Sequence, residues 1–251
     1  MSFYKTKNPA LNTDVFSKSI NPHDEAQSMT IRGTVDKTAF LALLVLLSAM
    51  LTWNQFMSTQ DYAAMFPYLI GGSVLALITG IITAFNKPWS RFLAPLYCIF
   101  EGLALGGLSA IMESRMPGIV LQAITLTLGI LFSLLLIYRM GWIKATENFK
   151  LMVASATAGI AFYYMISFIG GLFGFHLPLI HDNSTFGIIF TLFVVVIAAM
   201  NLVLDFDFIE SGAEQKAPKY MEWYAAFGLM VTLIWLYIEL LRLLAKLSSR
   251  D

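Results

Sequence analysis

The residues with the clearest chemical potential are a few acids placed in or beside long apolar runs. Glu101 lies inside the run 92–112, and Asp205 and Asp207 directly follow the run 186–204. A carboxylate in the apolar interior of a bilayer costs about 3 kcal/mol unless it is protonated, paired or hydrated. Each acid is therefore a candidate for a titrating or cation-contacting group. The simpler interpretation is a protonated acid that holds helices together, or a hydrated acid at a helix end.

Helical spacing separates these acids in depth and in direction. Glu101 is nine residues into its run, which is roughly 14 Å along a helix and near the bilayer midplane. Asn201 and Asp205 are four residues apart and share a helix face. Glu239 lies near the far end of the last run, with Arg242 three residues later. That spacing favours an ion pair at the surface.

The elements that position these side chains are membrane-spanning helices. Of the 251 residues, 58% are hydrophobic and 13% are charged, whereas soluble domains carry about 25% charge. A bilayer core about 30 Å thick requires roughly 20 mostly apolar residues as helix. Seven stretches meet this requirement: 38–56, 66–85, 92–112, 119–138, 151–173, 186–204 and 223–244. The sequence predicts an all-α integral membrane protein, with seven transmembrane helices over 38–247, a polar cytoplasmic tail of 1–37 and a short tail of 248–251.

Basic residues outside the spans predict the orientation, because Lys and Arg resist translocation. The amino-terminal tail and the second, fourth and sixth loops hold most of them, which places the amino terminus in the cytoplasm. The carboxyl-terminal end is also basic, with Arg242, Lys246 and Arg250. Seven spans would place it on the non-cytoplasmic side, so these charges would fit better if the last segment did not cross the membrane. The sequence retains seven spans and leaves the side of the carboxyl terminus open.

Several familiar functions lack the residues that they need. His23, His176 and His181 lie in the tail or the fifth loop, so the zinc site of an intramembrane protease is not expected. The 16 basic and 16 acidic residues balance and give no net field for nucleic acid. The sequence contains no P-loop, nucleophile elbow or dinucleotide fingerprint. We expect neither an enzyme nor a resident cofactor or metal, and the partner that the composition indicates is the lipid bilayer.

Four segments occur in an order that is typical of a known family. They are GTVDKTAF from Gly33, EGLALG from Glu101, and the stretches 201–209 and 223–247. Together they resemble the Bax inhibitor family, the transmembrane Bax inhibitor motif proteins, over nearly the whole chain from Met29. The tail sequence NPAL, beginning at Asn8, is similar to a bacterial branch of that family.

The resemblance implies a fold in which the last helix is central and wrapped by six others, in a multi-pass protein of the bacterial inner (plasma) membrane. It implies a pH-sensitive passive cation leak, with Ca²⁺ as the expected ion, gated by protonation of two acids in the sixth and seventh helices. The resemblance equally allows a non-transporting regulator that binds membrane proteases or stress-response proteins. The oligomeric state is left open, and a monomer is compatible with the sequence.

Asp205 matches the first acid of this pair, but the second is missing or displaced. One alignment makes Glu239 the second acid and needs an insertion, whereas the ungapped alignment places Thr232 there. Thr232 lies about 13 Å from the cytoplasmic end of its helix, and Glu239 is roughly 10 Å farther along, so we favour Thr232 as the neighbour of Asp205. Asp207 or Glu101 then becomes a substitute acid.

The candidate ion pathway and pH sensor therefore draws on three predicted helices. Its residues are Asp205, Glu101, Asp207, Asn201, Thr232 and Glu239. Lys87 and Arg91, just beyond the second span, are the nearby cations available as a latch on Asp205. Oxygen ligands of this kind are those that hard cations such as Ca²⁺ prefer.

Overall fold

The computed structural model of the protein describes residues 28–174 and 184–249, whose regular elements are all helices. In these ranges, seven helices are long and apolar enough to cross a membrane. They are α1 Ile31–Thr59, α2 Tyr62–Phe85, α3 Ser90–Arg115, α4 Ile119–Arg139, α5 Glu147–Leu172, α6 Thr185–Glu214 and α7 Met221–Ser248. The predicted all-α, multi-pass membrane fold is confirmed.

Helix α1 begins earlier than its hydropathy indicated. Its first residue is Ile31 rather than residue 38, and the Thr30 side chain caps it by accepting a hydrogen bond of 3.0 Å from the Gly33 amide. Asp36 and Lys37 lower the hydropathy of this segment but do not oppose a helix. The helix therefore includes residues 31–37, the last part of the segment predicted as the tail. Residues 1–27, with His23, lie outside the described part.

Helix α6 differs at its other end. It continues to Glu214, ten residues past the predicted boundary, so Asp205 and Asp207 lie inside the helix and do not end it. A hydropathy criterion stops at the first acids, whereas the backbone hydrogen bonds of a helix continue through them.

Contacts divide the chain into two compact units. Unit 1 comprises the described residues up to Gly107 together with Asp207–Met230, and unit 2 comprises Leu108–Phe206 and the described residues from Val231 onward. Helices α3, α6 and α7 each contribute residues to both units. In the most apolar windows of α3 and α7, 50% of the residues are buried, against 22% in α1. The last helix is thus among the most buried, and its wrapping by the other six stays a prediction.

Within unit 1, α1 and α3 approach so closely that their backbones touch. A Cβ atom on Gly106 would overlap the carbonyl oxygen of Ala49. The Thr52 hydroxyl donates a hydrogen bond of 2.9 Å to the carbonyl oxygen of Leu103. Small residues one turn apart permit this packing in lipid, where no hydrophobic force drives helices together.

Within unit 2, polar contacts join α6 to α5 and α3 to α7. The Asn201 amide nitrogen donates to the Thr157 hydroxyl at 2.8 Å, which links α6 to α5. The hydroxyls of Ser109 and Tyr237 lie 2.6 Å apart and link α3 to α7. These polar pairs position the candidate site.

Candidate functional site

Among the described acids of unit 2, Asp205 has a buried oxygen without a hydrogen-bond partner. The hydroxyl of Thr232, on α7, is hydrogen-bonded to its carboxyl group. The other carboxyl oxygen, Oδ2, is closed off from the surface and has no hydrogen-bond partner within the described residues. Leaving a buried polar group unpaired costs about 1–3 kcal/mol, and more for a charged group. Asp205 therefore presents an open oxygen ligand inside the protein.

Neighbouring polar groups complete what we call the Asp205 cluster: Asp205, Thr232, Asn201 and Thr157. Asn201 lies one turn from Asp205 on α6, and its amide nitrogen is shared between Thr157 and the carbonyl oxygen of Ile197 at 2.9 Å. The cluster thus gathers carboxyl, hydroxyl and amide groups from three helices. Sequence reasoning missed Thr157, because a single threonine in an apolar helix carries no distinguishing signal.

Glu239 belongs to a second group, the Glu239 cluster of Glu239, Tyr164, Trp235 and Arg242. Its oxygen Oε1 accepts hydrogen bonds from the Tyr164 hydroxyl at 2.8 Å, the Trp235 indole at 3.3 Å and Arg242 Nη1 at 2.9 Å. The predicted pairing with Arg242 is present, but the predicted surface position is wrong, since Glu239 is 1% exposed. Tyr164 of α5 covers the pair, a contact that spacing along α7 does not reveal.

Lys246 extends the polar face of α7 beyond the Glu239 cluster. It is 4% exposed, and its ammonium group donates to the carbonyl oxygen of Gly187 and to the Thr191 hydroxyl, both at 3.0 Å. Arg242 and Lys246 are two of the basic residues that did not fit the predicted orientation. Both form hydrogen bonds within unit 2. Arg250 lies outside the described residues.

Glu101 and Asp207 both belong to unit 1. Glu101 is half-buried in α3, and no hydrogen bond or ion pair joins it to another residue in the described part of the chain. Asp207 is half-buried in α6, two residues past Asp205. Their roles as titrating groups stay predictions.

The two latch candidates lie against aromatic rings of unit 1. The Lys87 ammonium is 5.4 Å from the centroid of the Tyr224 ring, and the Arg91 guanidinium is 4.6 Å from that of Phe92. Such contacts contribute about 0.5–1 kcal/mol where the cation is exposed. A latch on Asp205 stays a prediction.

Sequence reasoning missed a third group, the Glu222 cluster of Glu222, Thr30, Lys37 and Lys219. Glu222 Oε1 accepts hydrogen bonds at 2.9 Å from the Thr30 amide, the Thr30 hydroxyl and the Lys219 ammonium, and Oε2 is paired with Lys37. The two lysines had been counted only as charges outside the spans. The available signal was Lys219, three residues before Glu222.

The described residues contain no group of three or more His, Cys, Asp or Glu side chains that could hold a metal ion. His176 and His181 lie outside the described part. The Asp205 cluster offers a cation one carboxyl group with hydroxyl and amide neighbours. Few charged ligands favour weak binding and release, which suits passage more than storage.

Comparison with known proteins identifies the family and no individual relative. A family model described as Bax inhibitor 1 like matches residues 8–249, nearly the whole chain. Comparison with curated proteins gave no match, and comparison with solved structures gave none either. The resemblance carried by the four segments is therefore confirmed.

Proposed function

The chain belongs to the Bax inhibitor 1 like family, and we propose that it is a passive, pH-sensitive leak for cations, with Ca²⁺ as the permeant ion. In this proposal it lies in a bacterial inner membrane with its amino terminus in the cytoplasm. The basic residues of the tail and of alternate loops support that orientation.

The observation that carries the proposal is the unpaired oxygen of Asp205. Inside a protein, an ionised carboxylate attracts a cation far more strongly than in water, because the surroundings screen the charge poorly. Asp205 Oδ2 has no hydrogen-bond partner among the described residues. An incoming cation would supply the missing partner, with the hydroxyl and amide groups of the Asp205 cluster beside it.

Protonation of Asp205 determines whether the proposed leak rises or falls with pH. The ionised group attracts a cation and the protonated group does not, so the leak falls as the pH falls. Thr232, rather than a second acid, contacts Asp205. Two coupled acids release protons in two separated steps, whereas Asp205 without an acidic partner contributes one step to the pH profile. Glu101, which lies in unit 1, is the second titrating candidate.

Purified protein in sealed liposomes that contain a Ca²⁺ indicator tests the proposal. We expect Ca²⁺ entry above that of empty liposomes, and at least about a tenfold loss with Asp205→Asn, equivalent to about 1.4 kcal/mol. Glu101→Gln is expected to alter the pH dependence. Glu214→Gln is the matched control, because Glu214 is an exposed acid on the same helix. Entry equal to that of empty liposomes at every pH rejects the proposal.

One contact supports the alternative of a membrane regulator. The Met29 amide donates a hydrogen bond of 2.6 Å to the carbonyl oxygen of Ala217, and Ser28 forms an isolated bridge with Pro218. Ser28 and Met29, where the described part begins, are therefore bonded to the connection between α6 and α7. Absence of Ca²⁺ entry, together with loss of partner binding on deletion of residues 1–28, favours the regulator.

A further inference from the structure

Unit 2 contains an apolar layer between its two polar clusters. Ile160 of α5 and Val194 and Ile197 of α6 form one buried group and are 5%, 0% and 5% exposed. Ala156 and Met200, the chain neighbours of Thr157 and Asn201, pack against it, and so do Tyr164 and Trp235 of the Glu239 cluster. The layer thus contacts neighbours of both clusters.

The same order occurs along each of the helices involved. On α5, Ile160 lies between Thr157 and Tyr164, which are seven residues apart. On α7, Trp235 lies between Thr232 and Glu239, also seven residues apart. Seven residues are about two helical turns, so the polar pair on each helix shares one face and is separated by roughly 10 Å.

The order is the same on α6, read in the opposite chain direction. Asp205 and Asn201 belong to the Asp205 cluster, Ile197 and Val194 to the layer, and Thr191 to the contact with Lys246. Helices α5 and α6 therefore alternate polar, apolar and polar in register, and Trp235 of α7 packs against the apolar layer.

An apolar layer that excludes water would block ions even though it contains no charged side chain. Cavities lined only by aliphatic side chains remain empty of water, and hydrophobic constrictions close channels by dewetting. A cation at Asp205 would have to lose its hydration to pass Ile160, Val194 and Ile197. The Glu239 cluster offers no compensating ligand there, because donors already occupy its carboxylate.

From this alternation we infer that the permeation route runs between α5, α6 and α7 of unit 2 and that Ile160, Val194 and Ile197 form its closed hydrophobic gate. The inference rests on the proposed cation leak and adds the location and the closing element of its path. Wetting of the layer opens the route, and its apolar packing closes it.

Cysteine accessibility tests the layer independently of ion flux. Cys98, a buried free cysteine, is first replaced by alanine, and single cysteines are placed at Thr157, Ile160 and, as an exposed control, Ser249. The protein is held in lipid nanodiscs, which are open to water on both faces, and treated with a charged methanethiosulfonate reagent. We expect Ile160→Cys to react at least about tenfold more slowly than Thr157→Cys. Equal rates, or no reaction at Thr157→Cys, would overturn the inference.

A polar substitution of nearly equal volume tests the gate by flux. Val194→Thr places a hydroxyl in the layer, and Val196→Thr is the matched control on the same helix, since Val194 is buried and Val196 is exposed. We expect Ca²⁺ entry into liposomes to rise at least about threefold with Val194→Thr and to be unchanged with Val196→Thr. A wild-type leak that Val194→Thr does not increase would contradict the gate. If no variant conducts while the cysteine pattern holds, the dry layer stands and the proposed leak fails.

Discussion

Two acids with buried oxygen atoms, Glu222 in unit 1 and Asp205 in unit 2, have opposite surroundings. Glu222 receives two hydrogen bonds from Thr30 and pairs with two lysines, and its side chain is 0% exposed. Asp205 has one hydroxyl partner and one oxygen without any among the described residues. Membrane proteins place acids for both structure and transport, and we propose that the number of donors distinguishes the two uses here.

The donors of Glu222 come from separate parts of unit 1. Thr30 and Lys37 belong to the start of α1, and Lys219 lies just before α7. Charge-assisted hydrogen bonds are about twice as strong as neutral ones. The Glu222 cluster therefore ties the start of α1 to the start of α7, whereas no ion pair in the described part of the chain includes Asp205.

Among the substitutions that test this contrast, Glu222→Ala is expected to cause the largest loss of stability. Glu222→Ala leaves the Thr30 amide and hydroxyl without their charged acceptor, and each hydrogen bond to a charged group contributes about 1.5–3 kcal/mol. Lys37 and Lys219 would lose their shared acceptor. Thermal unfolding in detergent should show a clearly lower Tm. An unchanged Tm would mean that the cluster does not hold unit 1 together.

A smaller loss is expected from Gly33→Ala. A Cβ atom at Gly33 would occupy the place of the Glu222 carboxylate, and forcing an extra methyl into a packed site costs about 1–3 kcal/mol. Gly129→Ala is the control, because a Cβ there meets nothing within 4 Å. Unfolding followed by circular dichroism should separate the two variants. Equal losses would show that the space around Glu222 is not limiting.

The smallest effect on stability is expected from Asp205→Asn. The substitution keeps the shape and removes a charge whose Oδ2 lacks a partner, so the penalty for burying an unpaired charged group disappears. The free energy of unfolding should change by less than about 0.5 kcal/mol or increase. A loss comparable to that of Glu222→Ala would assign Asp205 a structural role and remove the contrast.

The sequence alone was sufficient for the number and type of helices but not for all of their ends. Long apolar runs are specified by the bilayer itself, since unpaired backbone groups are not tolerated there. The ends at Ile31 and Glu214 were missed because charged residues continue both helices beyond the apolar core. Lys37 is accommodated by its pairing with Glu222, which is 185 residues away in the chain.

The site was predictable to the extent that its contacts are local or follow from depth. Arg242 was found as the partner of Glu239 from its spacing on one helix, whereas Tyr164, 75 residues away, was not. Depth along the helix favoured Thr232 over Glu239 as the neighbour of Asp205. In the structure the side chains of Thr232 and Asp205 are hydrogen-bonded. The apolar layer depends on residues of α5 and α6 that only tertiary packing brings together.

Ca²⁺ entry into sealed liposomes, followed as the pH is lowered for the wild-type protein and for Asp205→Asn side by side, tests the central claim most directly. The account predicts a wild-type leak that falls as Asp205 takes up a proton, and a weak leak that lacks this fall in Asp205→Asn. Equal entry with the same pH dependence in both proteins would contradict it.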